Sequence, residues 1–288
     1  MKDLKIRASS VGSIMTDPRT KTKGQQYQET VFSIDNKRDR LNGLSDKAQK
    51  SREKLIEDIS ELEIKLQELE PLKDQIELSQ TTESALVSIF WEREFNITRE
   101  ITNNALTKGT EQEALSIDLA VEVYKIKEFE GMSGEEIKNE KRFENDFLTG
   151  TPDIITEDSI IDIKTSFTAH SFPLTNKTIP DASYYWQLQS YLALTGKKFG
   201  VLTYCLVDTP ENIVQDEIYR YTRNKGLIDC PDDVELLIRE RHLYSRLPKK
   251  LRVKSFNIER DDEAIEKIYR RVEECRNYYK NELLTKIF

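Results

Sequence analysis

Residues 148–168 read LTGTPDIITEDSIIDIKTSFT, and Asp153, Asp162 and Lys164 are charged side chains set among apolar and β-branched neighbours. Residues two apart on a strand point the same way, so Asp162 and Lys164 share a face. The polar turn Glu157-Asp158-Ser159 reads as the bend of a hairpin that can bring Asp153, beside Pro152, opposite them. Two carboxylates held together repel, and an unpaired charge inside a sheet is costly. A divalent cation with hard oxygen ligands, Mg²⁺ or Mn²⁺, removes that conflict and still keeps waters and a phosphate oxygen. A lysine beside such an ion can hold the attacking water, so the set suits hydrolysis of a phosphodiester. The bare pattern D-x-K equally describes a solvent-facing pair on an edge strand, so its surroundings decide.

Two surrounding features bear on that choice. Upstream, KGTEQEAL places Glu113 on a helix with apolar neighbours, as a third carboxylate. Glu111 is its rival, although two residues away on a helix it points elsewhere. Downstream, WQLQSYLALTG sets Gln187 and Tyr191 four apart on one helical face, a spacing that an ordinary amphipathic helix also has. Tyr185 and Trp186 offer rings on which a splayed base could stack, but core packing explains them better. His170 reads as an exposed loop residue, and His242, among arginines, as facing solvent or a DNA backbone.

Around these residues the chain alternates strand and helix signals. The first 40 residues are polar and without periodicity, and TDPRTKTKGQQ reads as a loop. From Ser45 to Glu77, apolar residues recur in steps of four and three from Leu55 through Ile76, which predicts a helical hairpin with a narrow seam, its first helix ended at Pro71. Helices are expected after a Thr81 or Thr82 cap, over 109–124, over DASYYWQLQSYLALTG to Gly196, and at 210–224, 231–245 and 261–284. Strands are expected within 143–165, at FGVLTYCLV and at LRVKSFNI.

Composition narrows the setting. At 288 residues, 37% hydrophobic and 33% charged, the chain suits a helix-rich globular protein. It has no long apolar run and no basic-then-apolar start, so a membrane span and a secretory signal are not expected and a cytoplasmic setting is. Cys205, Cys230 and Cys275 are too scattered for a disulfide framework and read as reduced structural thiols. The net charge is −8, yet residues 220–254 carry ten Lys or Arg against five acids, a locally positive stretch able to track phosphates or simply to face water.

Taken in order, Glu113, Pro152-Asp153, Asp162-x-Lys164 and Gln187-x-x-x-Tyr191 resemble the PD-(D/E)XK nuclease superfamily. The branch most similar is that of phage lambda exonuclease and the YqaJ-type viral recombinases; the Q-x-x-x-Y element also occurs in RecB-type nucleases. IRASSVGSIMTDPRT, residues 6–20, is similar in spacing to that branch's Ala-Ser pair leading into a helix. The resemblance covers residues 6–20 and 109 to about 207.

It implies an α/β fold of the α+β kind, a restriction-endonuclease-like core with a central mixed sheet flanked by helices. One domain would span 1–288, with a helical, coiled-coil-like insertion at 45–80. Glu113, Asp153 and Asp162, with the carbonyl of Ile163, would bind one or two Mg²⁺ ions, for which Mn²⁺ can substitute. Lys164 would orient the attacking water. Ser9 and Thr151 would contact a terminal 5′-phosphate, with Arg7 replacing a basic residue that the branch carries upstream of Ala-Ser. Gln187 and Tyr191 would support the site and the DNA backbone. Two departures stand out: Asp162 occupies a position where the branch more often has Glu, and the cysteines do not fit an iron–sulfur cluster.

The implied activity is a Mg²⁺-dependent 5′ to 3′ exonuclease on linear duplex ends in a bacterial host, feeding a single-strand annealing protein and assembling as a trimer. Two alternatives stay open: an endonuclease or defence nuclease on the same fold, and a non-catalytic DNA-binding or scaffold protein assembled through the seam at 55–76.

Overall fold

The computed structural model describes residues 4–45, 47–100 and 102–287. Its strands are β1 (Ile6–Arg7), β2 (Phe143–Glu144), β3 (Leu148–Gly150), β4 (Ile154–Ile155), β5 (Ser159–Thr165), β6 (Phe199–Cys205) and β7 (Val253–Glu259). Its helices are α1 (Ala8–Ile14), α2 (Lys23–Gly43), α3 (Gln49–Leu69), α4 (Gln80–Phe95), α5 (Asn104–Glu111), α6 (Glu113–Tyr124), α7 (Gly134–Ile137), α8 (Ala182–Thr195), α9 (Glu211–Asn224), α10 (Asp232–His242), α11 (Asp262–Tyr278) and α12 (Leu284–Ile287). Two compact units result: Met1–Met15 with Ser88–Arg276, and Thr16–Val87 with Asn277–Phe288.

The first unit is a mixed α/β body. Its larger sheet has the order β4-β5-β6-β7, with β5 antiparallel to β4, parallel to β6, and β6 antiparallel to β7. A sheet strand covered on both faces reads as a continuous apolar run, and β5 is such a strand. Ile161 and Ile163 pack with Ile117, Leu119 and Ala120 of α6. Ile160 packs the other way, with Leu188, Tyr191 and Leu192 of α8. Alternation therefore throws Asp162 and Lys164 onto the face that α8 covers.

The parallel β5–β6 pair requires a crossover, and α8 is that crossover. Asp181 starts it by accepting the Ser183 N–H at 2.8 Å, and Gly196 ends it in the left-handed region at φ 72°. The smaller sheet, β1-β3-β2, pairs β1 parallel to β3 and β2 antiparallel to β3. Gly150 ends β3 where nothing larger fits: a Cβ there would stand 2.8 Å from the Tyr191 ring and 2.9 Å from the Ala8 methyl. Gly12 likewise lets α1 lie directly against Ser183 of α8.

The helical unit holds a helix in the polar stretch without periodicity: TDPRTKT is loop, as expected, but α2 begins within the same segment, at Lys23. Thr22 and Gln25 form a reciprocal capping box that starts α2, and the 21-residue helix supplies the partner of α3. Ion pairs Lys37–Asp58, at 2.5 Å, and Arg38–Glu63, at 2.6 Å, join the two helices, and Leu55, Ile59 and Leu69 are buried. The seam thus closes within the unit, between 23–43 and 49–69 rather than inside 45–80. Pro71 falls in the 3-10 turn Glu70–Leu72 that follows α3, where its missing N–H does no harm. The cap before α4 is Ser79, whose Oγ accepts the Thr82 N–H at 3.1 Å, in place of Thr81 or Thr82.

Two further differences touch the site. The helix expected over 109–124 is broken at Gln112, so Glu113 opens α6. His242 is buried, its ring nitrogens engaged by Thr209 and by Glu217 of α9, and so does not face solvent or DNA. All three cysteines are free, and burial pushes the Cys205 and Cys275 thiols up to about 12, as inert packing groups. No helix among the described residues is long and apolar enough to cross a membrane. Gly150→Ala should lower stability by about 1–3 kcal/mol, the usual cost of overpacking, while Gly43→Ala, with open space at its Cβ, should not; chemical denaturation of both variants checks the pair.

Candidate active site

The β4–β5 register decides where the acidic residues meet. Ile154 stands across from Ile161 and Ile155 across from Ile160, so one step further Asp153 stands across from Asp162. Directly opposed residues in an antiparallel pair share a face. Since β4 begins only at Ile154, the Ile163 N–H is left to the Asp153 side chain, which accepts it through Oδ2 at 2.6 Å. Asn139 fixes the other side of Asp153: its N–H donates to the Asp153 carbonyl at 2.7 Å, and its side-chain amide to the Pro152 carbonyl at 2.8 Å. Asn139 was not legible as a site residue, because its contribution is to backbone groups distant in sequence.

Asp162 is buried, 1% exposed, and its two oxygens are used differently. Oδ1 accepts from the Gln187 amide at 3.1 Å, and the same Gln187 nitrogen lies 3.1 Å from the Tyr191 hydroxyl. Oδ2 lies 2.7 Å from the Lys164 ammonium as an ion pair, yet makes no well-aligned hydrogen bond. Lys164 also sits 4.9 Å over the Tyr184 ring. The face shared with α8 thus gathers Asp153, Asp162, Lys164, Gln187 and Tyr191, as the strand and helix periodicities require.

The charges are poorly matched as they stand. Loss of water, and then the Asp162 charge, push the Asp153 carboxyl far above the usual carboxylate range, against the Ile163 N–H and Lys164. Burial also raises Asp162, and its ion pair with Lys164 offsets only part of this. Burial works against the Lys164 charge, but Asp162 and then Asp153 outweigh it and hold the ammonium above its ordinary range. Lys164 is therefore a hydrogen-bond donor at neutral pH, suited to orienting a water or phosphate oxygen.

Glu113, at the first turn of α6, adds its charge to both aspartates, raising each. Its carboxylate is turned to Lys138, at 2.7 Å. Glu111 points elsewhere, to Asn212 at 3.1 Å. Among the described residues, no three acidic, His or Cys side chains already stand together as a metal cage. The donor chemistry nevertheless fits a hard cation: oxygen ligands only, two opposed aspartates with displaced protonation, and a buried Asp162 Oδ2 without a hydrogen bond.

The residues read as a phosphate contact lie at the ends of β1 and β3. Arg7 stands beside Thr149 in that parallel pair; Ser9 lies in the first turn of α1, directly after β1, and Thr151 directly follows β3. Ser9 is exposed, Thr151 half-buried, and the exposed Arg7 is paired with Glu92. A second cation was missed. Phe143 faces Gly150 in the β2–β3 register, which brings Arg142 to Thr151, and Arg142 Nε donates to Thr149 Oγ1 at 2.6 Å. Only the strand pairing reveals it. Tyr185 bonds Asp261 through its hydroxyl at 2.9 Å and Trp186 faces Lys267, and both side chains are half-buried. His170 is exposed in the loop after β5.

No protein-family model and no curated protein matches this sequence. Solved structures do match. A phage-related exonuclease from Haemophilus somnus 129PT is 22% identical, with a TM-score of 0.63 over 99% of this chain and 97% of that one. An alkaline exonuclease from Laribacter hongkongensis is 15% identical, with a TM-score of 0.53 over 98% of this chain and 91% of that one. Its complex with dAMP gives a TM-score of 0.52 at the same 15% identity. The likeness takes in the helical unit as well as the mixed sheet. The chain therefore shares the fold of these exonucleases.

Asp153→Asn removes a charge that the fold disfavours. It should raise the Tm of the metal-free protein by roughly 2–4 °C, on the order of 1 kcal/mol in a chain of this size. Added Mg²⁺ should raise the Tm of the parent and leave the variant unmoved. Differential scanning fluorimetry with and without Mg²⁺ checks both.

Proposed function

We propose that the protein is a metal-dependent DNA exonuclease of the phage recombination type, hydrolysing phosphodiester bonds at the ends of linear duplex DNA. The observation that carries this reading is the opposed Asp153–Asp162 pair with Lys164 on the same face of β5, in a fold otherwise found in a phage-related exonuclease. Asp153, Asp162, Glu113 and the carbonyl of Ile163 would hold Mg²⁺, or Mn²⁺ in its place. When bound, such an ion lowers the pKa of a water and offsets charge on the scissile phosphate.

The side chains of this chain do the rest. Lys164 presents its proton-bearing nitrogen to the attacking water and keeps it in line with the phosphorus. Gln187 holds Asp162 in one rotamer and ties it to Tyr191. Asn139 holds Pro152–Asp153 so that the carboxylate stays opposite Asp162. Ser9 and Thr151 donate hydroxyls to a terminal phosphate, with Arg142 or Arg7 as the accompanying cation. A 5′ to 3′ direction, a trimeric assembly and transfer of the exposed strand to an annealing protein belong to the same reading and rest on the sequence resemblance. The cytoplasm of a bacterial host is the setting it implies.

Linear and covalently closed duplexes, with and without Mg²⁺, test the proposal. Linear DNA with 5′-phosphate ends should be degraded only with the metal, and the circle spared. Lys164→Ala should lower the rate by about 10²–10⁴-fold with the fold intact by circular dichroism. Equal digestion of circle and line would point to an endonuclease; salt-sensitive DNA binding without any cleavage would point to a binding protein.

A further inference from the structure

Lys108 lies in α5, upstream of Glu113, and is fully buried at 0% exposure. Its ammonium is held by neutral groups: it donates to the Phe167 carbonyl at 3.1 Å and to Thr209 Oγ1 at 3.1 Å, and it stands 4.7 Å over the Tyr244 ring. Desolvation makes such a charge costly, and a well-packed apolar side chain in its place is often no less stable. The charge at this point is better explained by what its contacts join.

They join two segments of the proposed active site. The Lys108 carbonyl accepts the Gln112 N–H at 3.0 Å, at the break between α5 and α6 from which Glu113 projects. Phe167 follows β5 just beyond Lys164, and the adjoining Ser166 N–H is bonded to Cys205 at 2.8 Å, so this exit is anchored to the sheet. Ser116 Oγ and Thr165 Oγ1, 2.8 Å apart, form a second tie between α6 and β5. One side chain thus spans from the Glu113 helix break to the strand of Asp162 and Lys164.

We propose that Lys108 is a positioning residue, whose buried ammonium sets the separation of Glu113 from Asp162 and Lys164 so that the carboxylates converge on one cation. This rests on the nuclease reading. It also gives the site a pH dependence. Loss of water brings the Lys108 pKa down to about 8, against the Asp208 charge. The groups facing it are Asp208, whose carboxylate caps the Ser245 N–H at 2.7 Å, Tyr244, and His242, which shares Thr209 with it at 3.1 Å and meets Glu217 at 2.9 Å. Deprotonation turns a two-way donor into an amine that holds the Phe167 carbonyl less firmly. Lys164 is held above its ordinary range and does not titrate there.

The test compares the full chain with Lys108→Met and with Thr209→Val, which keeps the ammonium and removes one acceptor. On linear duplex with Mg²⁺ at neutral pH, Lys108→Met should lower kcat by about tenfold to a hundredfold, as a displacement near 1 Å does, with KM within about twofold and Tm unchanged or raised. Thr209→Val should fall between variant and parent. The parent's kcat should decline above a pH of about 8, and that decline should be missing in Lys108→Met.

Amide hydrogen exchange reads the same contact without catalysis: protection at Gln112 and Ser166, whose N–H groups are bonded to Lys108 and Cys205, should fall in both variants. Unchanged kcat with unchanged exchange, a kcat loss matched by a lowered Tm, or an alkaline decline that persists in Lys108→Met overturns the proposal. A parent chain that leaves DNA intact defeats the nuclease reading separately, and the exchange comparison then still decides whether Lys108 joins the two segments.

Discussion

The repulsion between Asp153 and Asp162 is the constraint on which the rest of the site depends. The hairpin register puts them opposite one another, and no rotamer change removes them from the same face. Lys164 neutralises one of the two charges, through Asp162, and leaves the other with its protonation displaced. A fold that preferred stability alone would place apolar residues here, as it does at the flanking Ile160, Ile161 and Ile163. The mismatch is what supports the proposal of a cation between the two aspartates.

The scaffold around the pair restrains it. α8 brings Gln187 down on Asp162, and Gly150 lets the Tyr191 ring come close enough to complete that chain of hydrogen bonds. Asn139 clamps the Pro152–Asp153 backbone from the other side. Glu113 is the mobile member of the set in chemical terms. It is engaged with Lys138, a pair that is partly exposed on both sides, and exposed pairs of this kind are weak enough for a cation to displace.

Much of this was legible in the sequence. The hairpin, the Gln187–Tyr191 helix with its Gly196 stop, β6, β7 and the C-terminal helices follow local rules of alternation, capping and turn chemistry, and they stand where those rules place them. Asp153, Asp162 and Lys164 were readable because charged residues inside an apolar strand conflict with burial. The helix α2 was not, since only Thr30 and Ile34 of it are buried and its stripe is too thin to register; the Thr22–Gln25 capping box was its one local signal. Arg142, Asn139 and Lys138 were illegible for a different reason: each acts through strand register or a long-range contact that no short motif encodes. The break at Gln112 was masked by a sequence that is helical on both sides of it.

The most direct measurement is anomalous diffraction from a crystal grown with Mn²⁺. The account predicts a peak about 2.0–2.3 Å from carboxylate oxygens of both Asp153 and Asp162, with Glu113 released from Lys138 toward it. A map with no peak between those two aspartates, or with manganese bound only elsewhere on the surface, would contradict it.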